Sequence, residues 1–130
     1  MVSAVDRSEP RAGGPPGPDV LAADCPSRRV LRHLTSRWGG LVLVALLDGR
    51  QRFGALRRRI GGISERMLAQ TLQDLEGDGI VRRLARPVVP PHVEYELTPM
   101  GREAAERMGA LVDWVEGNLG RLGEGRPAEA

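Results

Sequence analysis

The 130 residues suffice for one domain of ordinary size and are too few for two substantial cores. The longest apolar run, residues 41–47, falls far short of the roughly 20 residues that a bilayer-spanning helix needs. The N-terminus has no apolar signal core and the single cysteine cannot form an internal disulfide, so a cytoplasmic protein without membrane contact is expected. Every basic residue is arginine, which reflects GC-rich coding as much as selection, so distribution says more than number. Residues 28–86 hold thirteen arginines against five acids, a net of +8, whereas residues 87–130 hold four against eight, a net of −4. A basic middle and an acidic end suggest that one face meets a polyanion, nucleic acid being the obvious one.

Residues 1–24 contain four prolines, three glycines and few bulky apolar side chains, and are expected to be a disordered tail. A first helix starts near Asp24-Cys25-Pro26, with Pro26 at its first position and Val30, Leu31 and Leu34 as its apolar stripe. Trp38, Leu41, Val42, Ala45 and Leu46 mark a second, more buried helix that Asp48-Gly49 ends. After a short extended piece at 51–53, Phe53, Leu56 and Ile60 form the buried face of a third helix whose other side is Arg57-Arg58-Arg59.

The Gly61-Gly62-Ile63 turn leads into a fourth helix over 64–76. Ser64 is a good N-cap and Ile63 can staple onto Leu68, although Met67 stands where Glu or Gln would complete a capping box. Gly77 and Asp78-Gly79 stop the helix. At about 100° per residue, Leu68, Leu72 and Leu75 share one stripe, and Arg66, Gln70 and Gln73 lie roughly opposite. Arg and Gln are the side chains that pair bidentately with guanine and adenine edges in a major groove. They are also good surface helix formers, so an ordinary solvated face is the competing reading.

A helix, a glycine turn and a helix with a polar outward face is the helix-turn-helix arrangement. Beyond Gly79 the periodicity shifts towards 2: residues 80–86 and the alternating 92–97 predict a β-hairpin around a proline-stiffened tip at 87–91. Beside a helix-turn-helix such a hairpin is a wing, and it brings Arg82, Arg83 and Arg86 towards DNA backbone or minor groove. Ser64 and Arg57, Arg58 and Arg59 are candidate phosphate contacts; Arg66, Gln70 and Gln73 are candidate base readers. The fold class is thus mainly α with a small β-hairpin, a winged helix-turn-helix over 25–119.

Thr98-Pro99 starts a long last helix, with Thr98 as N-cap and Ala104, Met108, Leu111, Val112, Val115 and Leu119 as its stripe. So long an apolar edge suggests pairing with a second copy through Val30, Leu34, Met108, Leu111, Val112, Val115 and Leu119; packing within the domain is the alternative. Residues 120–130 are expected to be a second disordered tail. Cys25 lies at a helix start beside Arg28 and Arg29, a setting that favours a thiolate and makes it a candidate redox sensor. A small packing residue is the other reading. His33 and His92 lie on different elements, no metal-ligand spacing or phosphate-binding glycine pattern occurs, and no cofactor is expected. A Cys25-His33 dyad can be imagined on one helix, but no motif supplies an oxyanion hole, so the chain is not expected to be an enzyme.

The order of elements and several local strings resemble the HxlR-type regulators, winged-helix bacterial transcription factors related to the MarR group. The strings are Cys25-Pro26, Arg37-Trp38, Arg52-Phe53, Gly62-Ile63-Ser64, Met67-Leu68, Leu72, Leu75-Glu76, Asp78-Gly79, Pro90-Pro91, Val93-Glu94-Tyr95, and Leu97-Thr98 with Gly101. They span about residues 25–115, and together they are specific. Thr35-Ser36 departs from a common Gly-Gly, and Gly39-Gly40 stands where larger residues are usual. The resemblance implies a homodimer on an inverted-repeat operator in double-stranded DNA, with the 64–76 helix in the major groove and the wing alongside. Some proteins of this family sense quinones, aldehydes or oxidants through a cysteine near position 25; a regulator gated by a small ligand in a dimer-interface cavity is a further reading that shares the DNA expectation. The alternative function is a winged-helix protein-interaction module without specific DNA binding.

Overall fold

The computed structural model describes Gly17 and residues 19–123. Most of both expected tails therefore lies outside the described residues, while residues 20–24 and 118–123 form turns. The elements are α1 (Ser27–Leu34), α2 (Gly39–Leu46), β1 (Gln51–Arg52), α3 (Phe53–Arg59), α4 (Glu65–Gly77), β2 (Val81–Arg86), β3 (His92–Leu97) and α5 (Pro99–Gly117). This is a winged helix-turn-helix, with every expected helix present.

The core lies where α2, α3 and α4 meet the inner face of the sheet, and Leu43, Leu46, Leu56, Leu68, Leu72 and Leu75 are its largest buried side chains. Burying each fully removes apolar area worth about 1.5–3 kcal/mol. In α2 the expected face is only partly right: Val42, Ala45 and Leu46 are buried, but Leu41 is exposed and Leu43, not singled out from sequence, is fully buried. The helix GGLVLVAL is apolar all round, so periodicity offers no contrast by which to orient it. Helix α1 starts one residue later than expected, Pro26 being its N-cap, and buries no residue; Leu31 faces solvent.

Gly39 has a tertiary reason. A Cβ there would collide with the His33 carbonyl oxygen, so the end of α1 and the start of α2 approach as only glycine permits. The sheet is also larger than the expected hairpin. Gln51 and Arg52 pair antiparallel with Tyr95 and Glu94, giving three strands in the order β1-β3-β2. Two residues carry no readable period, so this strand forms because β3 offers a free edge.

Thr98 caps α5 by accepting the Gly101 N–H at 2.9 Å, with Pro99 at the helix start. Only the first half of α5 packs on the domain: Ala105 is fully buried, and Ala104 and Met108 cover the core. Two of the expected dimer residues also have neighbours within the chain. Met108 and Leu34 pack against their own core, because Gly40 presents no side chain and Met108 fills the space above it.

Candidate nucleic-acid interface

Helix α4 is defined at both ends by hydrogen bonds. Ser64, extended at φ −84° and ψ 162°, accepts the Met67 N–H at 3.1 Å. At the other end Gly79 N–H donates to the Glu76 carbonyl at 3.0 Å and Ile80 N–H donates to the Leu75 carbonyl at 2.9 Å. That is a Schellman cap, which needs the left-handed backbone of Gly79 at φ +78° and brings the buried Ile80 and Leu75 side chains together.

With Leu68, Leu72 and Leu75 buried, Arg66, Gln70 and Gln73 are all exposed on the far side, as the helical spacing requires. One functional candidate was missed. Gln70 Nε2 donates to the Asp74 carboxylate at 3.0 Å, so one of the three candidate base readers is tethered to an acid on the next turn. The i, i+4 spacing was the available signal.

The arginines fall into two groups. Arg57 Nη1 bonds Glu65 at 3.3 Å, Arg59 pairs with Asp48, and Arg82 grips Glu96 through Nε at 2.9 Å and Nη2 at 2.8 Å. Arg58, Arg66, Arg83 and Arg86 make no ion pair among the described residues. The wing arginines also divide by face. Register pairs Arg82 with Glu96 and Arg86 with His92 on one side of the sheet, and Arg83 with Tyr95 on the other. The wing tip itself, residues 87–91, is exposed throughout.

Cys25 is buried, yet it stands apart from the main core cluster. Its thiol is held below the ordinary thiol value, chiefly by a hydrogen bond from the Ser27 side chain, with burial acting in the opposite direction. The expected arginine contribution is corrected: Arg28 instead donates to the carbonyls of Val20 and Leu21, at 2.8 Å each. The Cys25-His33 dyad is not formed either. His33 Nδ1 lies 2.6 Å from Asp78, whose side chain is 4% exposed, tying α1 to the end of α4.

On α5, Leu111, Trp114 and Val115 are exposed and Val112 is half-buried; Leu119 and Leu122, in the turns that follow the helix, are also exposed, and Val30 on α1 is half-buried. Trp114 was not singled out from sequence. Among the described residues no helix is long and apolar enough to cross a membrane, and no three His, Cys, Asp or Glu converge as metal ligands do.

Comparisons with known proteins agree with this geometry. The family described as HxlR-like helix-turn-helix matches residues 33–122. The HTH-type transcriptional regulator YtfH of Escherichia coli K12 is 61% identical over 101 residues, covering 78% of this chain and 80% of that protein. A solved transcriptional regulator, ytfH from Salmonella typhimurium, superposes with a TM-score of 0.77 at 57% identity, over 82% of this chain and 95% of that one. The redox regulator HypR in its oxidized form superposes with a TM-score of 0.66 at 38% identity, over 72% of this chain and 97% of that one. A capped helix with a polar outward face, a basic three-stranded wing and matches over most of the chain place this protein in the HxlR-like helix-turn-helix family of transcriptional regulators.

Proposed function

We propose that the protein binds an inverted-repeat operator as a homodimer, inserts one α4 per half-site into the major groove, and represses or activates the adjacent genes. The observation that carries this reading is the outward face of α4, where Arg66, Gln70 and Gln73 are exposed on a helix whose position is set by three buried leucines. Ser64 and the unpaired Arg58 supply phosphate contacts, which Arg57 and Arg59 join on leaving Glu65 and Asp48, and Arg83 and Arg86 present one arginine on each face of the wing. Arg82 contributes less, since it must leave Glu96. The exposed apolar side chains of α5, together with Val30 of α1, supply the dimer contact.

The test is binding of the purified protein to its own upstream DNA, with excess nonspecific competitor, at two salt concentrations. Competitor-resistant binding that weakens steeply with salt is expected, because each neutralised phosphate contributes about −0.9 to the slope of log affinity against log salt. Weak salt dependence would favour the protein-interaction module.

A second reading concerns the input. Cys25, its thiolate favoured by Ser27 and its side chain outside the main core, is suited to sense oxidants or electrophiles, and the structural neighbour HypR is a redox regulator. With no second cysteine in the chain, the modified state is an adduct or an intersubunit disulfide. Alkylation by iodoacetamide is expected to be half-maximal below the pH of a free cysteine, about 8.5, and to move up in Ser27→Ala. DNA affinity unchanged by both diamide and methylglyoxal would remove the sensing role.

A further inference from the structure

Beside α4 runs a groove of about 560 Å³ whose one wall is Ser36, Arg37 and Trp38, leading into α2. Its other wall is the flank of α4 from Ser64 through Met67 and Gln70 to Asp74. We propose that this groove receives the operator's sugar-phosphate backbone and that Arg37 is a phosphate clamp within it. The proposal rests on α4 lying in the major groove, and adds a contact outside both the reading helix and the wing.

A helix with its side chains is about 10–12 Å across and the major groove is about 12 Å wide, so an inserted helix is flanked closely by the phosphate rails. A groove along the flank of α4, open to the same side as Gln70, lies where a rail must pass. The Arg37 guanidinium lies over the Trp38 ring, 4.7 Å from the centroid, and makes no ion pair among the described residues. Stacking holds the guanidinium plane while leaving its edge N–H groups to donate, the geometry that suits a phosphate.

Ser36 Oγ donates to the His33 carbonyl at 3.1 Å and accepts the Gly39 N–H at 3.0 Å, so it holds the loop and leaves the ligand to Arg37. Ser64 Oγ accepts the Met67 N–H, and its own hydroxyl proton is free to donate to the same rail. Asp74, further along, is negative and bonded to Gln70, which confines a phosphate to the Arg37–Ser64 end.

The test compares wild type, Arg37→Gln and Arg37→Lys in the full chain, on the upstream duplex and on a scrambled duplex of equal length, across a salt series. Arg37→Gln should weaken both duplexes about tenfold per half-site, the loss of one hydrogen bond to a charged group. It should also reduce the salt slope by about 0.9 per subunit, and Arg37→Lys should restore the slope. Phosphate ethylation interference should lose one phosphate per half-site in Arg37→Gln. An unchanged slope and ethylation pattern in Arg37→Gln would overturn the clamp, as would weaker binding at unchanged slope in both variants, which marks a packing role. Absence of salt-sensitive binding by the wild type would instead remove the DNA-binding reading, and the clamp with it.

Discussion

Helices α4 and α5 are both amphipathic, but they dispose of their apolar faces differently. In α4 the apolar side chains Leu68, Leu72 and Leu75 are consumed by the domain's own core, so its polar side is left free for a partner. In α5 the core covers only the beginning of a 19-residue helix, and Leu111, Trp114 and Val115 remain 53%, 51% and 37% exposed. One chain completes α4, whereas α5 is left with apolar surface that a second chain would cover. Change on the outer face of α4 is therefore expected to leave folding intact, while the exposed apolar surface of α5 is expected to gain stability from association.

The comparison can be broken in several places. The largest effect is expected in α4: Leu72→Ala should lower unfolding stability by about 2–5 kcal/mol, read by chemical denaturation. The equivalent truncation in α5, Leu111→Ala, should leave unfolding of the monomer nearly unchanged and weaken dimerisation by up to about 3 kcal/mol per buried side chain. Sedimentation equilibrium would show this, and a wild type that stays monomeric at micromolar concentration would end the contrast. On the outer face of α4, Gln73→Ala should cost about 1–3 kcal/mol of discrimination between operator and scrambled DNA with stability unaffected. Equal losses on both duplexes would withdraw its base-reading role.

Smaller effects sharpen the picture. Ser64→Ala removes the bond to Met67 and should cost about 1 kcal/mol in thermal stability. Arg82→Ala should change DNA affinity less than Arg86→Ala. Arg82 is half exposed and already paired with Glu96, an exchange worth under about 1 kcal/mol, whereas Arg86 makes no ion pair among the described residues.

Where the sequence was informative, it was so through contrast. Helix α4 was legible because leucines alternate with polar residues at helical spacing between a serine cap and an Asp-Gly stop. Helix α2 was not, because a uniformly apolar segment has no face until neighbours choose one, and they chose Leu43 over Leu41. The arginines show the same limit. Arg57, Arg58 and Arg59 are alike as letters, but Glu65 and Asp48 come from other elements and neutralise two of the three. Arg37 was noticed only as half of a motif; its place in a groove beside α4 depends on how α2 lies against that helix.

The sequence by itself determined the order of elements, the capped α4 with its polar face, the hairpin and the apolar edge of α5. These are local properties, set by spacing, caps and turn residues within a few positions of one another. Only the tertiary structure decided which arginines remain unpaired, that Gln51 and Arg52 join the sheet, that Met108 belongs to the core, and that His33 goes to Asp78. Each of those depends on a residue far away in the chain, and no local pattern encodes a partner that folding alone brings near.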